Sequence, residues 1–233
     1  MATTLSEFKR LVLLTIPENI DGISDMAIEE GINRAHKAIA RVQDFDELTV
    51  LDTANAVTVA NQKTYHIIND LLLTRPKDIL TIRYMASSES RKLTWVPLAK
   101  YDSVIPYPEL FSTAKPKWYI TRGLYIDLHP IPANAANLYI THTQWPGTLS
   151  NETDETQYLN IDDVIITLAS EITMSILNKG AMSDWTQRAR ELLGLVISEV
   201  RDKPDQLHIA QPFSIRQSWP SDDYWLNPWY KGN

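Results

Sequence analysis

The residues of this sequence that could do chemistry are few and far apart. Ser6 and Lys9 stand in the S-x-x-K spacing that can pair a serine nucleophile with a lysine base. The companion S-D-N and K-T-G motifs are absent, and both residues sit in a stretch of helical periodicity, so a solvated helix face accounts for them better. His36, His66, His129, His142 and His208 never approach one another at a metal-ligand spacing. Acidic groups at Asp44, Asp46 and Glu47, and at Glu152, Asp154 and Glu155, offer oxygen ligands without the order of a calcium loop, and read as solvated loops. With no cysteine there is no thiol nucleophile, disulfide or Cys-ligated metal, which suits a reducing compartment. No P-loop, H-E-x-x-H, G-x-S-x-G or dinucleotide glycine pattern occurs. The expectation is no enzyme, no metal and no cofactor.

Composition points the same way. A chain of 233 residues, 44% of them apolar, can bury one large core or two small ones. The net charge of −7, without a basic block, argues against a surface built to hold nucleic acid, though not against passive contact with it. No apolar run approaches the length of a membrane span. In MATTLSEFKRLVLL the charges lie inside the apolar stretch and no small-residue cleavage site follows, so no secretory signal is expected. Without that route the Asn151-Glu-Thr153 sequon carries no meaning.

The elements that must position any site begin with helices. Thr4-Leu-Ser-Glu7 is a capping box, and Leu5, Phe8 and Val12 then share a face until Pro17 closes the helix. A second helix starts at Ser24, with Ile28, Ile32, Ala35, Ile39 and Val42 on its apolar face. From about Phe45 to Ser150 the period changes to two. Leu80, Ile82 and Tyr84 alternate with Thr81 and Arg83, and the turn 87–90 predicts a hairpin with 93–98. Residues 118–121 and 124–128 flank Arg122-Gly123, where glycine can supply a positive φ. Leu124, Ile126 and Leu128 would share one face, and Tyr125 and Asp127 the other. The prolines of His129-Pro-Ile-Pro132 end that strand, and the next begins at Leu138. Residues 104–111 could hold a short helical turn.

Helices then return. Asn160 is placed to cap a helix with Asp162 and Asp163 in its first turn and Ile161, Val164, Ile165, Leu168, Ile172 and Ile176 on its buried side. Lys179-Gly180 stops it, and Ser183 caps a fourth helix that ends before Pro204. The fold expected is α+β, a four-helix core with an inserted antiparallel β domain and an extended C-terminal arm. Its parts are 1–44 and 151–203 for the core, 45–150 for the β domain and 204–233 for the arm. That arm holds four prolines, three tryptophans and two tyrosines with no sustained period. Its Phe213, Trp219, Tyr224, Trp225, Trp229 and Tyr230 are candidate docking residues, because aromatic side chains bury large areas with few rotors to freeze. They could anchor on a partner, or pack back on their own bundle as a strap.

The order of these parts resembles the head-to-tail adaptor, or connector, proteins of tailed bacteriophages, particularly of short-tailed phages. The similarity spans about residues 1–200 and rests on the strand ending LYIDLHPIP (124–132), the return strand closing on Thr143-Gln-Trp-Pro146, and the helix opening LNIDDVII (159–166). It implies a homo-oligomeric ring of twelve subunits at the head–tail junction of the virion, assembled in the host cytoplasm. Such a ring would bind the portal protein above and a tail or nozzle protein below, and DNA would pass through its channel at genome ejection. A channel of acidic or neutral lining would let DNA pass without lasting phosphate contacts. The β element would present an edge to neighbouring subunits or tail parts. A receptor- or glycan-binding tail module, using Trp95, Trp118 and Trp145, is the alternative.

Overall fold

The computed structural model describes residues 3–16, 23–86, 89–104, 113–177, 187–188 and 190–195. Within them the fold is α+β, in two compact units: one holds the described residues up to Leu48 and from Trp145 to Leu195, the other Thr49–Gln144.

The helical unit contains α1 (Leu5–Thr15), α2 (Asp25–Val42) and α4 (Asp162–Ile176). Both early starts follow from local chemistry. Thr4 Oγ1 accepts the Glu7 N–H at 3.4 Å while the Glu7 carboxylate accepts the Thr4 N–H at the same distance, closing the predicted box. Ser24 Oγ accepts the Ala27 N–H at 3.2 Å and opens α2. Leu5, Phe8 and Val12 of α1 share one core with Ile28, Ile32 and Ile39 of α2 and with Val164 and Ile165 of α4. Each such side chain contributes about 1.5–3 kcal/mol on leaving water. Where α2 crosses α4, Gly31 brings the backbones together: a Cβ there would overlap Thr173 Oγ1 and sit 2.9 Å from the Ala169 carbonyl oxygen. Asn33 ties α2 to the segment leading into α4, accepting the Leu149 N–H at 2.8 Å and donating to its carbonyl at 3.0 Å. Residues 187–188 and 190–195 are helical, with Leu192 and Leu193 packed against this core. The rest of the expected fourth helix lies outside the described residues.

The β unit is two four-stranded sheets. The first has the order β1 (Thr49–Asp52), β8 (Asn137–Gln144), β3 (Pro76–Ala86), β4 (Glu89–Lys92), all antiparallel. The second has the order β2 (Thr64–His66), β7 (Tyr125–His129), β6 (Trp118–Arg122), β5 (Thr94–Trp95). Ile82, Tyr84, Leu138 and Ile140 from the first sheet meet Tyr65, Tyr119, Ile126 and Leu128 from the second in one core. The one-turn helix α3 (Tyr101–Val104) follows β5. Residues 105–112, which include most of the expected 104–111 turn, lie outside the described residues.

Five expectations are corrected here. The hairpin partner of β3 is Glu89–Lys92, not 93–98; Leu93 is 2% exposed and dives into the core, and β5 runs parallel to β6 in the other sheet. The exposed, charged β4 thereby becomes the outer edge, where its Glu, Arg and Lys discourage further strand pairing. Arg122 pairs with Tyr125, so the turn is Gly123-Leu124, with Gly123 at φ 59 and Leu124 half exposed rather than on the buried face. Asp127, expected on an outer face, is buried because it accepts from Thr64 Oγ1 at 2.7 Å and pairs with Arg122 at 2.5 Å. Val42 ends α2 in solvent, 52% exposed, one turn past Ile39 where the core stops. Asn160 does not cap α4: it takes a left-handed φ of 59, and Ile161 occupies the N-cap with no side-chain bond. The negative first turn of Asp162 and Asp163 supplies the favourable interaction with the helix dipole instead.

Candidate functional site

The residues singled out for chemistry occupy structural roles. Ser6 is exposed, with Oγ 3.2 Å from Thr4 Oγ1. Lys9 reaches Glu152 at 2.7 Å and Glu29 at 3.5 Å. The hydrogen bond to Glu152, opposed by partial burial and aided by the charges of Glu152, Glu29 and Asp25, raises the lysine above its ordinary pKa. A general base requires the reverse shift.

His36 is 2% exposed between the rings of Phe8 and Tyr158, and burial lowers its pKa to about 4. Tyr158 donates to the His36 carbonyl at 2.9 Å, and burial raises the phenol above its usual value. His66 Nδ1 accepts the N–H groups of Ile68 and Asn69, capping a tight turn. His129 and His142 are buried in the sheets, and burial lowers His129. His208 lies outside the described residues. Among the described residues no three His, Cys, Asp or Glu side chains gather closely enough to hold a metal ion. Asp154 accepts the N–H groups of Asn151 and Ser150 at 2.9 and 2.8 Å, bonds that hold its carboxyl below the usual range and staple the loop. Asp46 and Glu47 open a 3-10 turn that seats Leu48 in the core.

What the described residues present are surfaces. On the helical unit, Arg34, Lys37 and Arg41 follow one another along the exposed side of α2 at helical spacing and border a groove against α4 of about 630 Å³. Ala38, Ile172 and Ile176 supply its apolar part. Sequence reading passes over this feature, because the α4 half of the groove lies over a hundred residues away. On the β unit, Leu80, Trp95 and Gly123 border a second recess of about 430 Å³. Of the three tryptophans that a sugar-binding surface would call upon, Trp118 is 6% exposed and Trp145 packs into the helical core. Trp95 alone of the three stands half exposed, its Nε1 donating to Thr121 Oγ1 at 3.3 Å. Phe213, Trp219, Tyr224, Trp225, Trp229 and Tyr230 lie outside the described residues.

A family model described as SU10 adaptor protein matches residues 3–211. The chain belongs to the SU10 adaptor protein family. The resemblance to phage adaptors carried by the strand ending LYIDLHPIP and the helix opening LNIDDVII therefore stands, and the match runs through both units. No curated protein matches the adaptor. In the adaptor the specific pieces of that resemblance are structural: β7 runs through residues 125–129 into a cis His129–Pro130 bond, and Ile161, Val164 and Ile165 anchor the start of α4 in the core. Among the described residues no helix is long and apolar enough to cross a membrane.

Proposed function

We propose that this adaptor assembles as a ring of twelve subunits at the head–tail junction of the virion, binding the portal protein on one side and a tail or nozzle protein on the other. The observation that carries this reading is the family match over residues 3–211. Two units of different construction, one helical and one of β-sheet, give a subunit two chemically distinct surfaces for two partners, as a closed ring with different neighbours above and below requires. The helical unit is proposed to be a four-helix core, completed by the helix whose residues 187–188 and 190–195 are described, and to continue into a C-terminal arm over 204–233. The arm docks on the portal through Phe213, Trp219, Tyr224, Trp225, Trp229 and Tyr230. DNA passes through the ring without sequence-specific contact, and the work of the protein is assembly.

Sedimentation of the adaptor with portal rings from the same virus tests this. The full chain is expected to co-sediment in a fixed ratio, and Trp225→Ala/Trp229→Ala to bind roughly a thousandfold more weakly, since loss of a buried aromatic anchor costs about 2 kcal/mol or more. Failure of the full chain to co-sediment at any salt concentration would remove the portal assignment.

A further inference from the structure

His66 closes β2 and opens the loop that leads to β3, and one of its ring nitrogens organises the first turn of that loop. Nδ1 accepts the N–H of Ile68 at 3.2 Å and that of Asn69 at 3.1 Å. Two amide protons converge on one lone pair, so the ring is neutral and carries its proton on Nε2. The main chain around it is tied as well. The His66 carbonyl accepts from the Asp70 and Leu71 amides at 2.9 and 3.2 Å, and the Asp70 carboxylate accepts the His66 N–H at 2.7 Å. Leu73 donates to the Ile67 carbonyl at 3.2 Å, closing the loop with Ile67, Leu71 and Leu73 buried.

Other parts of the loop carry strain. Leu72 and Arg75 take φ of 54 and 44, a left-handed backbone that costs a bulky side chain, and Ile68 and Leu72 stand half exposed. The groups that face the imidazole are Asp70 from the loop itself and Tyr125 from β7, whose ring stands perpendicular to it at 5.0 Å. Farther along the same face lies Asp127, already paired with Arg122.

A proton on Nδ1 turns the acceptor of two bonds into a donor facing two donors. Both bonds are then lost, and the imidazolium has the Asp70 carboxylate within its own loop to turn to. We propose that the 67–73 loop is a pH-operated latch of the β unit, closed while His66 is neutral and released when Nδ1 takes up a proton. Histidine is the one side chain that ordinarily changes charge between about pH 5 and 8, which places the latch near neutrality. Ile67 is one wall of the recess that Leu80, Trp95 and Gly123 border, so release of the loop opens that recess. The inference concerns the β unit alone and does not rest on the ring or portal reading.

Native-state hydrogen exchange of the full-length protein, followed amide by amide by nuclear magnetic resonance, tests it. Between about pH 7.5 and 5.5, after correction for the intrinsic rate, protection at Ile68 and Asn69 is expected to fall about tenfold or more, as loss of ordinary hydrogen bonds does. The Leu128 amide, which donates to the Lys63 carbonyl at 2.9 Å, is expected to keep its protection and so to report an intact β unit. The fall must share its midpoint with the titration of the His66 ring, read from the ring's own carbon resonances in the same samples. His66→Asn, which keeps an acceptor for the turn but does not titrate, is expected to show level protection across the range. Level protection in the wild type, a midpoint apart from that of the His66 ring, or an equal fall in His66→Asn each overturns the proposal. So does a loss at Leu128 in step with Ile68, which would assign the change to unfolding of the whole unit.

Discussion

His36 shows how one buried side chain sets the response of the helical unit to pH. Its ring lies against Phe8 and Tyr158 with Nε2 unpartnered, and it stays neutral in the fold down to about pH 4. The unfolded chain takes up the same proton near 6.5. The folded pKa is depressed, so the contribution is full above about pH 6.5 and is lost as pH falls toward 4, on the order of 3 kcal/mol in all. The melting temperature of the wild type should drop across that window, and His36→Leu should flatten much of the drop. Equal slopes in the two proteins would place the acid sensitivity elsewhere. Asp127 offers a second test at this scale. Its buried carboxylate is held by Arg122, whose own side chain is 48% exposed. Arg122→Ala strands the buried charge and should cost about 2–3 kcal/mol, whereas Asp127→Asn keeps a partner for Thr64, frees Arg122 to solvent and should cost about 1 kcal/mol or less. Urea titration of the two variants, read by near-ultraviolet dichroism, gives the order directly.

At the scale of elements, the α2–α4 crossing depends on one missing methyl group. Gly31→Ala would gain about 1 kcal/mol of helix propensity and lose more to overlap, for a net cost of about 1–2 kcal/mol. Adding Thr173→Ala should restore only part of that, because the Ala169 carbonyl, 2.9 Å from the new Cβ, is backbone and cannot rotate away. Full rescue by the double variant, measured by thermal unfolding, would show that the crossing has room to shift. Asn33 is the matching polar element: Asn33→Ala leaves the N–H and carbonyl of Leu149 without their side-chain partners and should cost roughly 2–4 kcal/mol. The elements that the sequence made legible are those whose causes are local. Thr4 and Glu7 satisfy each other three residues apart, and Ser24 needs only the amide of Ala27. The failures share the opposite property. Whether 94–95 continues the β3 hairpin or crosses to β6 depends on Leu93 finding a core lined from strands about thirty residues on, and nothing near Asp127 announces that Thr64, 63 residues earlier, will lie against it. For the surfaces, Arg34, Lys37 and Arg41 read as an ordinary solvated helix face until Ile172 and Ile176 arrive to make a groove. The aromatic stretch over 204–233 was read from composition alone and lies outside the described residues.

At the scale of the whole molecule, charge decides how copies come together. Each copy of the chain carries a net −7, and the proposed ring would concentrate that charge many times over, so long-range repulsion would oppose its assembly at low ionic strength. Near 0.15 M salt the Debye length shrinks to about 8 Å, and only contacts inside the interface still feel one another. If neighbouring subunits meet mainly through apolar and hydrogen-bonding surface, association of adaptor copies on portal rings should strengthen as salt rises from low values toward that range. If instead the basic rim of α2 seats acidic groups of the next subunit, added salt weakens association from the start. Sedimentation velocity of the mixture across a salt series separates the two, and the Lys37→Glu/Arg41→Glu variant sharpens the result. With an interface of the first kind, reversing the rim makes the subunit more acidic and shifts the salt curve to higher concentrations without changing its sign; with one of the second kind, the variant fails to assemble at any salt. The first outcome is expected, because the groove beside the rim carries its own carboxylate in Glu171, and a net −7 on every copy makes repulsion the leading long-range effect.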